Sequence, residues 1–198
     1  MIPAQAQAID LPGAQLTLIP AWLERAAADR CFEALCQEIE YSQHRVRLFG
    51  REHLSPRLSA WVGDAGAVYR YSGVRHEPLP WTAGLLGLRN RLRDSIGPDF
   101  DSVLVNRYRD GNDSMGWHSD DESELGPEPL IASLSLGATR IFRFKSRSKI
   151  GPSLALELAH GSLLLMAGAT QQNYRHALPK TRKAVGERIN LTFRRILG

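Results

Sequence analysis

The second half of this chain constrains the fold more than any other feature. From residue 101 onward, short runs of alternating or continuous apolar residues follow one another, separated by Gly, Pro, Asn and Asp. Strands are expected at 102–108, 130–136, 140–145, 154–158, 162–166, 172–178 and 188–195, with no further helix among them. Many short strands with turn residues between them suit an antiparallel double-sheet jelly roll, or double-stranded β-helix. The first half adds two helices. Pro20 can open one whose Phe32, Leu35, Cys36 and Ile39 fall at helical spacing, and Trp81, Leu85, Leu88 and Leu92 stripe another over about 81–96. The expected class is therefore mainly β with flanking helices (α+β), as one domain of 198 residues. Residues 1–42 form an N-terminal arm and helix, with 1–19 a loosely held arm; 43–100 form an intermediate region, and 101–198 the jelly-roll core.

Composition narrows the function classes. A formal charge of +4 permits nucleic acid as a partner without requiring it. The two cysteines, Cys31 and Cys36, sit on a helix at a spacing that turns them apart, so free thiols in a reducing compartment are expected. No signal-like N-terminus is apparent, and the longest apolar run, 163–169, is too short to cross a bilayer. These features point to a cytoplasmic protein, or a nuclear one in a eukaryote, with no membrane association and a monomeric state.

Chemistry concentrates at 106–122, around His118-x-Asp120. In extended chain these two side chains share a face, supplying one imidazole and one carboxylate of a facial triad that holds Fe(II) with open positions. His-x-Asp is a common pair, and the rest of the chain gives it weight. In 188–194, Ile189, Leu191 and Phe193 occupy one face, while Arg188, Asn190, Thr192 and Arg194 occupy the other. That polar face is either an ordinary solvated surface or a pocket wall with two arginines aimed at a dianion. Asn106 and Tyr108 share a face in the same way, and His176 lies in a short strand.

Taken together, Asn106-x-Tyr108 with Asp110-Gly111, His118-x-Asp120-Asp121-Glu122, Gly161-Ser162-Leu163-Leu164, His176-x-Leu178-Pro179 and Arg188-x-Asn190-x-Thr192-x-Arg194 resemble the AlkB family of Fe(II)- and 2-oxoglutarate-dependent nucleic-acid dioxygenases. The likeness covers about 43–197. Through Val46-Arg47-Leu48-Phe49-Gly50 and Gly63-Asp64-Ala65-Gly66 it is strongest to the mammalian member that acts on double-stranded DNA. The resemblance implies Fe(II), 2-oxoglutarate and O2, with His118, Asp120 and His176 as metal ligands. It implies Asn106, Tyr108 and Arg188 at the distal carboxylate of 2-oxoglutarate and Arg194 near its metal-side carboxylate, with Asn190 and Thr192 lining the site.

For the substrate, it implies Tyr69, Tyr71 and the His118 ring around a flipped base, Asp121 and Glu122 near its exocyclic amine, and Phe49 as a wedge in the duplex. Read from the residues alone, Tyr69 and Tyr71 equally suit a core pair, Asp121 and Glu122 a solvated acidic turn, and Phe49 a residue folded back on the domain. Two basic runs, 140–149 with Arg143, Lys145 and Arg147, and 175–183 with Arg175, Lys180, Arg182 and Lys183, are candidates for phosphate contacts. Trp117 has no assigned role. The implied activity is oxidative demethylation of N1-methyladenine- or N3-methylcytosine-type bases in DNA, double-stranded by preference and single-stranded as a possibility. The alternatives are an RNA or single-strand demethylase, and a non-catalytic damaged-base binding module.

Overall fold

A computed structural model describes residues 4–48, 51–67, 69–71, 74–148 and 150–197, with the backbone alone for 46–48, 51, 69–71 and 74–76. The strands are β1 (Gln7–Ile9), β2 (Gln15–Ile19), β3 (Arg45–Leu48), β4 (Arg51–Leu54), β5 (Leu58–Gly63), β6 (Tyr69–Tyr71), β7 (Val74–His76), β8 (Ser102–Tyr108), β9 (Met115–His118), β10 (Ile131–Gly137), β11 (Arg140–Ser146), β12 (Ser153–Leu158), β13 (Leu163–Ala167), β14 (Tyr174–Leu178) and β15 (Arg188–Arg194). The helices are α1 (Arg25–Glu38), α2 (Ala83–Ile96) and the one-turn α3 (Thr170–Asn173).

Two antiparallel sheets form the jelly roll. The major sheet runs β1-β2-β13-β10-β15-β8-β5, and the minor sheet runs β12-β11-β14-β9. β3–β4 and β6–β7 are separate hairpins. Because side chains alternate across a strand, each central strand of the major sheet feeds two cores. Val103, Val105, Leu134, Leu136, Ile189, Leu191 and Phe193 meet Ala28 and Leu35 of α1 and Leu85, Leu88 and Leu92 of α2. On the other face, Tyr108, Ile131, Leu164 and Met166 meet Phe142, Phe144, Tyr174 and Leu178 of the minor sheet.

Several expectations are corrected. Residues 7–19 are no loose arm: β2 pairs with β13 from Leu163↔Ile19 to Ala167↔Gln15, and β1 completes the edge. The main-chain N–H groups of β13 need partners, and β2 supplies them. The first helix starts at Arg25, after a turn in which Ala21 adopts a left-handed φ of 49°. The second starts behind Thr82, whose hydroxyl accepts the Leu85 N–H. Residues 170–173 are helical, so the strand expected from 172 begins at Tyr174. A 3-10 turn at Ser123–Leu125 also breaks the run of strands.

Candidate active site

β15 decides between the two readings of its polar face. All seven of its residues are buried. An amphipathic surface strand would leave alternate residues in water, so the face carrying Arg188, Asn190, Thr192 and Arg194 is an internal wall. Register places Arg188 opposite Tyr108 and Asn190 opposite Asn106, bringing the two ends of the sequence pattern together.

His118 ends β9, an edge of the minor sheet, and pairs with His176 on the neighbouring β14. Their Nε2 atoms lie 3.1 Å apart. Asp120 Oδ2 is 3.9 Å from His176 Nε2, and one ligand atom from each of the three residues lies within 4.8 Å of the others. His118 Nδ1 lies 2.9 Å from the Gly116 carbonyl. Only a protonated Nδ1 can bond that oxygen, so Nε2 keeps its lone pair for a cation.

Burial holds His176 down at about 3, helped by the neighbouring His118, and burial also lowers His118 against the opposing pull of Asp120. Both rings are therefore neutral at pH 7. Burial works against ionisation of Asp120, yet the Arg194 guanidinium and the two imidazoles bring it down to about 2. Arg194 Nη2 donates to Asp120 Oδ1 at 2.6 Å, and Gln171 Oε1 accepts the Asp120 N–H at 3.0 Å. Two neutral imidazoles and one ionised carboxylate, converging in a buried site, are the donor set that suits Fe(II) in a facial triad. The fit is good.

A second requirement is an anchor for a dianion. Arg188 is 1% exposed and is among the largest fully buried side chains. Nη2 donates to Ser135 Oγ at 2.9 Å, the guanidinium lies 5.4 Å from the Tyr108 ring centroid, and Nε has no partner. Burial pushes Arg188 down to about 10 despite the nearby Tyr108. A buried cation without a carboxylate is costly unless a ligand supplies one. The narrow cavity beside it is lined by Asn106, Tyr108, Arg188, Asn190, Thr192 and Arg194 and reaches the His–Asp–His group.

Past the triad a larger cavity of about 390 Å3 opens outward, lined by Ser42, Arg57, Trp61, Met115, Glu122 and Arg194 among others. Its size suits a single planar heterocycle with its sugar.

The sequence model of the 2OG-Fe(II) oxygenase superfamily matches residues 15–194. The chain belongs to this superfamily. It is 43% identical over 183 residues to the DNA oxidative demethylase ALKBH2 of Mus musculus, covering 87% of this chain and 77% of the mouse protein. The human ALKBH2 is also 43% identical, with 87% and 70% covered. Alpha-ketoglutarate-dependent dioxygenase alkB homolog 3 of Rattus norvegicus is 40% identical over 194 residues, covering 92% of this chain and 64% of the rat protein. Among solved structures, OsALKBH1 superposes with a TM-score of 0.67 at 17% identity, covering 96% of this chain and all of that one. That likeness supports the jelly-roll fold. As a member of the superfamily the protein is an Fe(II)- and 2-oxoglutarate-dependent dioxygenase that uses O2.

The expected site residues fall into three groups. His118, Asp120 and His176 converge, and Asn106, Tyr108, Arg188, Asn190, Thr192 and Arg194 line one cavity beside them. Asp121 is exposed and paired with Arg147, while Glu122 lines the outer cavity. Phe49 lies outside the described residues, and for Tyr69 and Tyr71 only the backbone of β6 is described.

The basic run divides. Arg143 is exposed, and Lys145 Nζ sits 4.4 Å from the Trp117 ring centroid, which gives that exposed indole a partner. Arg140 is not available to phosphate. It is 4% exposed and donates to the carbonyls of Asp110, Asp113 and Pro179, fastening the β8–β9 loop to the chain after β14. Gly111 lies in that same loop because a Cβ there would come within 2.5 Å of the Thr181 carbonyl.

Sequence reasoning missed Arg57, Ser133, Ser135 and Gln171. Arg57 Nε donates to Asn106 Oδ1 at 2.8 Å, and Asn190 Nδ2 donates to Ser133 Oγ at 2.9 Å. The alternation of Ser133 and Ser135 with Leu134 and Leu136 was a usable signal for the β10 wall. Arg57 and Gln171 carried none, because their partners lie 49 and 51 residues away.

Proposed function

We infer that this protein is an oxidative demethylase of alkylated DNA bases, of the N1-methyladenine and N3-methylcytosine type. The observation that carries the reading is the shared wall of β15. On one side of the triad it presents a buried Arg188 with no carboxylate partner among the described residues; on the other, through Arg194, it borders a cavity sized for one base. The relatives named as DNA oxidative demethylases support the substrate class.

His118, Asp120 and His176 would hold the metal, and Arg188, Asn106 and Tyr108 the distal carboxylate of 2-oxoglutarate. Arg194, with Asn190 and Thr192, would serve the metal side. When bound, Fe(II) and 2-oxoglutarate supply the oxidation: O2 is divided between the 2-oxo acid, which leaves as succinate and CO2, and the N-methyl group, whose hydroxylated form loses formaldehyde.

The chain's own residues bind, orient and exclude water. Arg194 keeps Asp120 ionised and fixed in place. The Gly116 carbonyl holds one tautomer of His118. The Phe142 and Phe144 rings, with centroids 5.2 and 5.9 Å from that of His176, keep water from the rear of the site. A base must leave the stack to reach it. Tyr69 and Tyr71, with the His118 ring, are the candidates to sandwich it, Asp121 and Glu122 to favour a cationic ring, Arg143 and Lys145 to hold phosphates, and Phe49 to fill the vacated gap. We read the whole chain as one dioxygenase domain, acting as a monomer on duplex DNA by preference in the cytoplasm or nucleus. No helix among the described residues is long and apolar enough to cross a membrane.

The test is direct. Incubation with Fe(II), 2-oxoglutarate, ascorbate and an oligonucleotide bearing N1-methyladenine should return adenine and release formaldehyde in equal amounts. Succinate formation that no nucleic acid stimulates would overturn the substrate assignment.

A further inference from the structure

Asp121 and Arg147, the one a candidate for a cationic base and the other for a phosphate, meet each other in the fold. Arg147 Nη2 donates to Asp121 Oδ2 and, at 2.9 Å, contacts Ser119 Oγ. Both side chains are partly in water, 37% and 47% exposed, so the pair is loose rather than locked.

Both backbones are held independently of the pair. The Arg147 N–H donates to the Asn173 carbonyl at 2.8 Å, and beside Asp121 the Asp120 N–H donates to Gln171 Oε1 at 3.0 Å. Separating the two charges therefore requires side-chain rotation alone. Asp121 lies between the candidate ligand Asp120 and Glu122, both of which line the outer cavity. Arg147 follows β11 on the same run of chain as Arg143 and Lys145.

We propose that Arg147 is a specificity-determining residue that occupies Asp121 until a methylated strand replaces both partners at once, a step that rests on the function proposed above. Before binding, Asp121 faces a guanidinium, and the cationic methylated ring shares its strand with phosphates. After binding, Asp121 faces the ring and Arg147 faces a phosphate. Each carboxylate and phosphate keeps a cation throughout. An unmodified base is neutral, so opening the pair for it leaves Asp121 facing an uncharged ring. A methylated nucleoside brings the cation without a phosphate, so Arg147 is left without an anion. The exchange is complete only for a cationic base carried on a strand.

The experiment measures kcat/KM of the wild type, Arg147→Gln, Asp121→Asn and the double variant on two substrates, 1-methyladenosine as the nucleoside and the same base within a short oligonucleotide. Arg147→Gln should raise kcat/KM on the nucleoside about two- to five-fold, the scale of an exposed ion pair, and lower it on the oligonucleotide by a similar factor or more. The nucleoside gain should vanish when Asp121→Asn is added. Raising the ionic strength should raise wild-type turnover of the nucleoside relative to Arg147→Gln, because salt screens the pair.

Parallel losses on both substrates would mean that Arg147 only tethers the chain after β11. No change on either would mean an idle surface pair. Each result overturns the exchange while leaving the demethylase reading intact. Absence of demethylation by the wild-type protein would overturn both.

Discussion

Replacing Arg188 with methionine should make the protein more stable and less able to use 2-oxoglutarate. Arg188 is 1% exposed, donates to Ser135 and has no carboxylate partner among the described residues. Burial pushes its pKa down to about 10 from an ordinary 12.5, with the nearby Tyr108 opposing the fall. At ~1.36 kcal/mol per decade of proton affinity, that is about 3 kcal/mol. Methionine has similar length and no charge, so the variant avoids that cost and forfeits the hydrogen bond to Ser135, about 1.5–3 kcal/mol for a charged donor. The net gain of at most about 1.5 kcal/mol corresponds to no more than roughly 6 °C in Tm for a chain of this size.

The same change removes a charge-assisted bond to the co-substrate, about 1.5–3 kcal/mol, so the 2-oxoglutarate needed for half-maximal turnover should rise about 10- to 150-fold. The assay is a pair of thermal melts, with and without 2-oxoglutarate and Mn(II), beside a turnover titration. Wild type should melt higher with ligand, while Arg188→Met should start higher and gain little. A variant that melts below wild type, or keeps the wild-type titration, would refute the argument that this guanidinium is held for an absent anion.

Alanine at His118, Asp120 or His176 should abolish metal binding and turnover. Asp120→Ala should also cost about 3–5 kcal/mol, because it removes the carboxylate that pairs with buried Arg194; a metal titration and a melt check both. Removing Arg143 and Lys145 should flatten the log–log salt dependence of duplex binding by about 0.9 for each lost phosphate contact, read by fluorescence anisotropy. Phe49→Ala should lower demethylation of a duplex well below its effect on a single strand, since only the duplex leaves a gap to fill; equal losses with a lower Tm would mark a packing residue.

Asp113 is raised by burial but lowered further by its bonds to Arg109, for a net downward shift. Its contribution is full above the unfolded value near 3.8 and is lost as pH falls through the folded value. Asp113→Asn should thus cost about 2 kcal/mol at pH 7 and progressively less as pH falls below the unfolded value, as chemical denaturation across that range would show.

The sequence alone determined the fold class and most of the site. Period-two alternation placed β8, β10, β11, β13 and β15 within a residue or so of their ends, because a strand half-facing a core must alternate. The spacing His118-x-Asp120 and the alternation in 188–194 put on common faces, for the same reason, side chains that line one candidate site. What sequence left open was which polar face meets water, since alternation reads the same for a solvated surface and an internal wall. Only the closure of the minor sheet over the polar face of β15, all seven of whose residues are buried, decided that.

Tertiary structure also decided every relation between distant residues. The β2–β13 pairing turned an expected arm into a sheet edge, and the carbonyls around Arg140 took it away from phosphate. Arg57 joined Asn106, and Arg147 joined Asp121 across 26 residues. Such partners are set by where strands cross in space, and local periodicity carries no record of it.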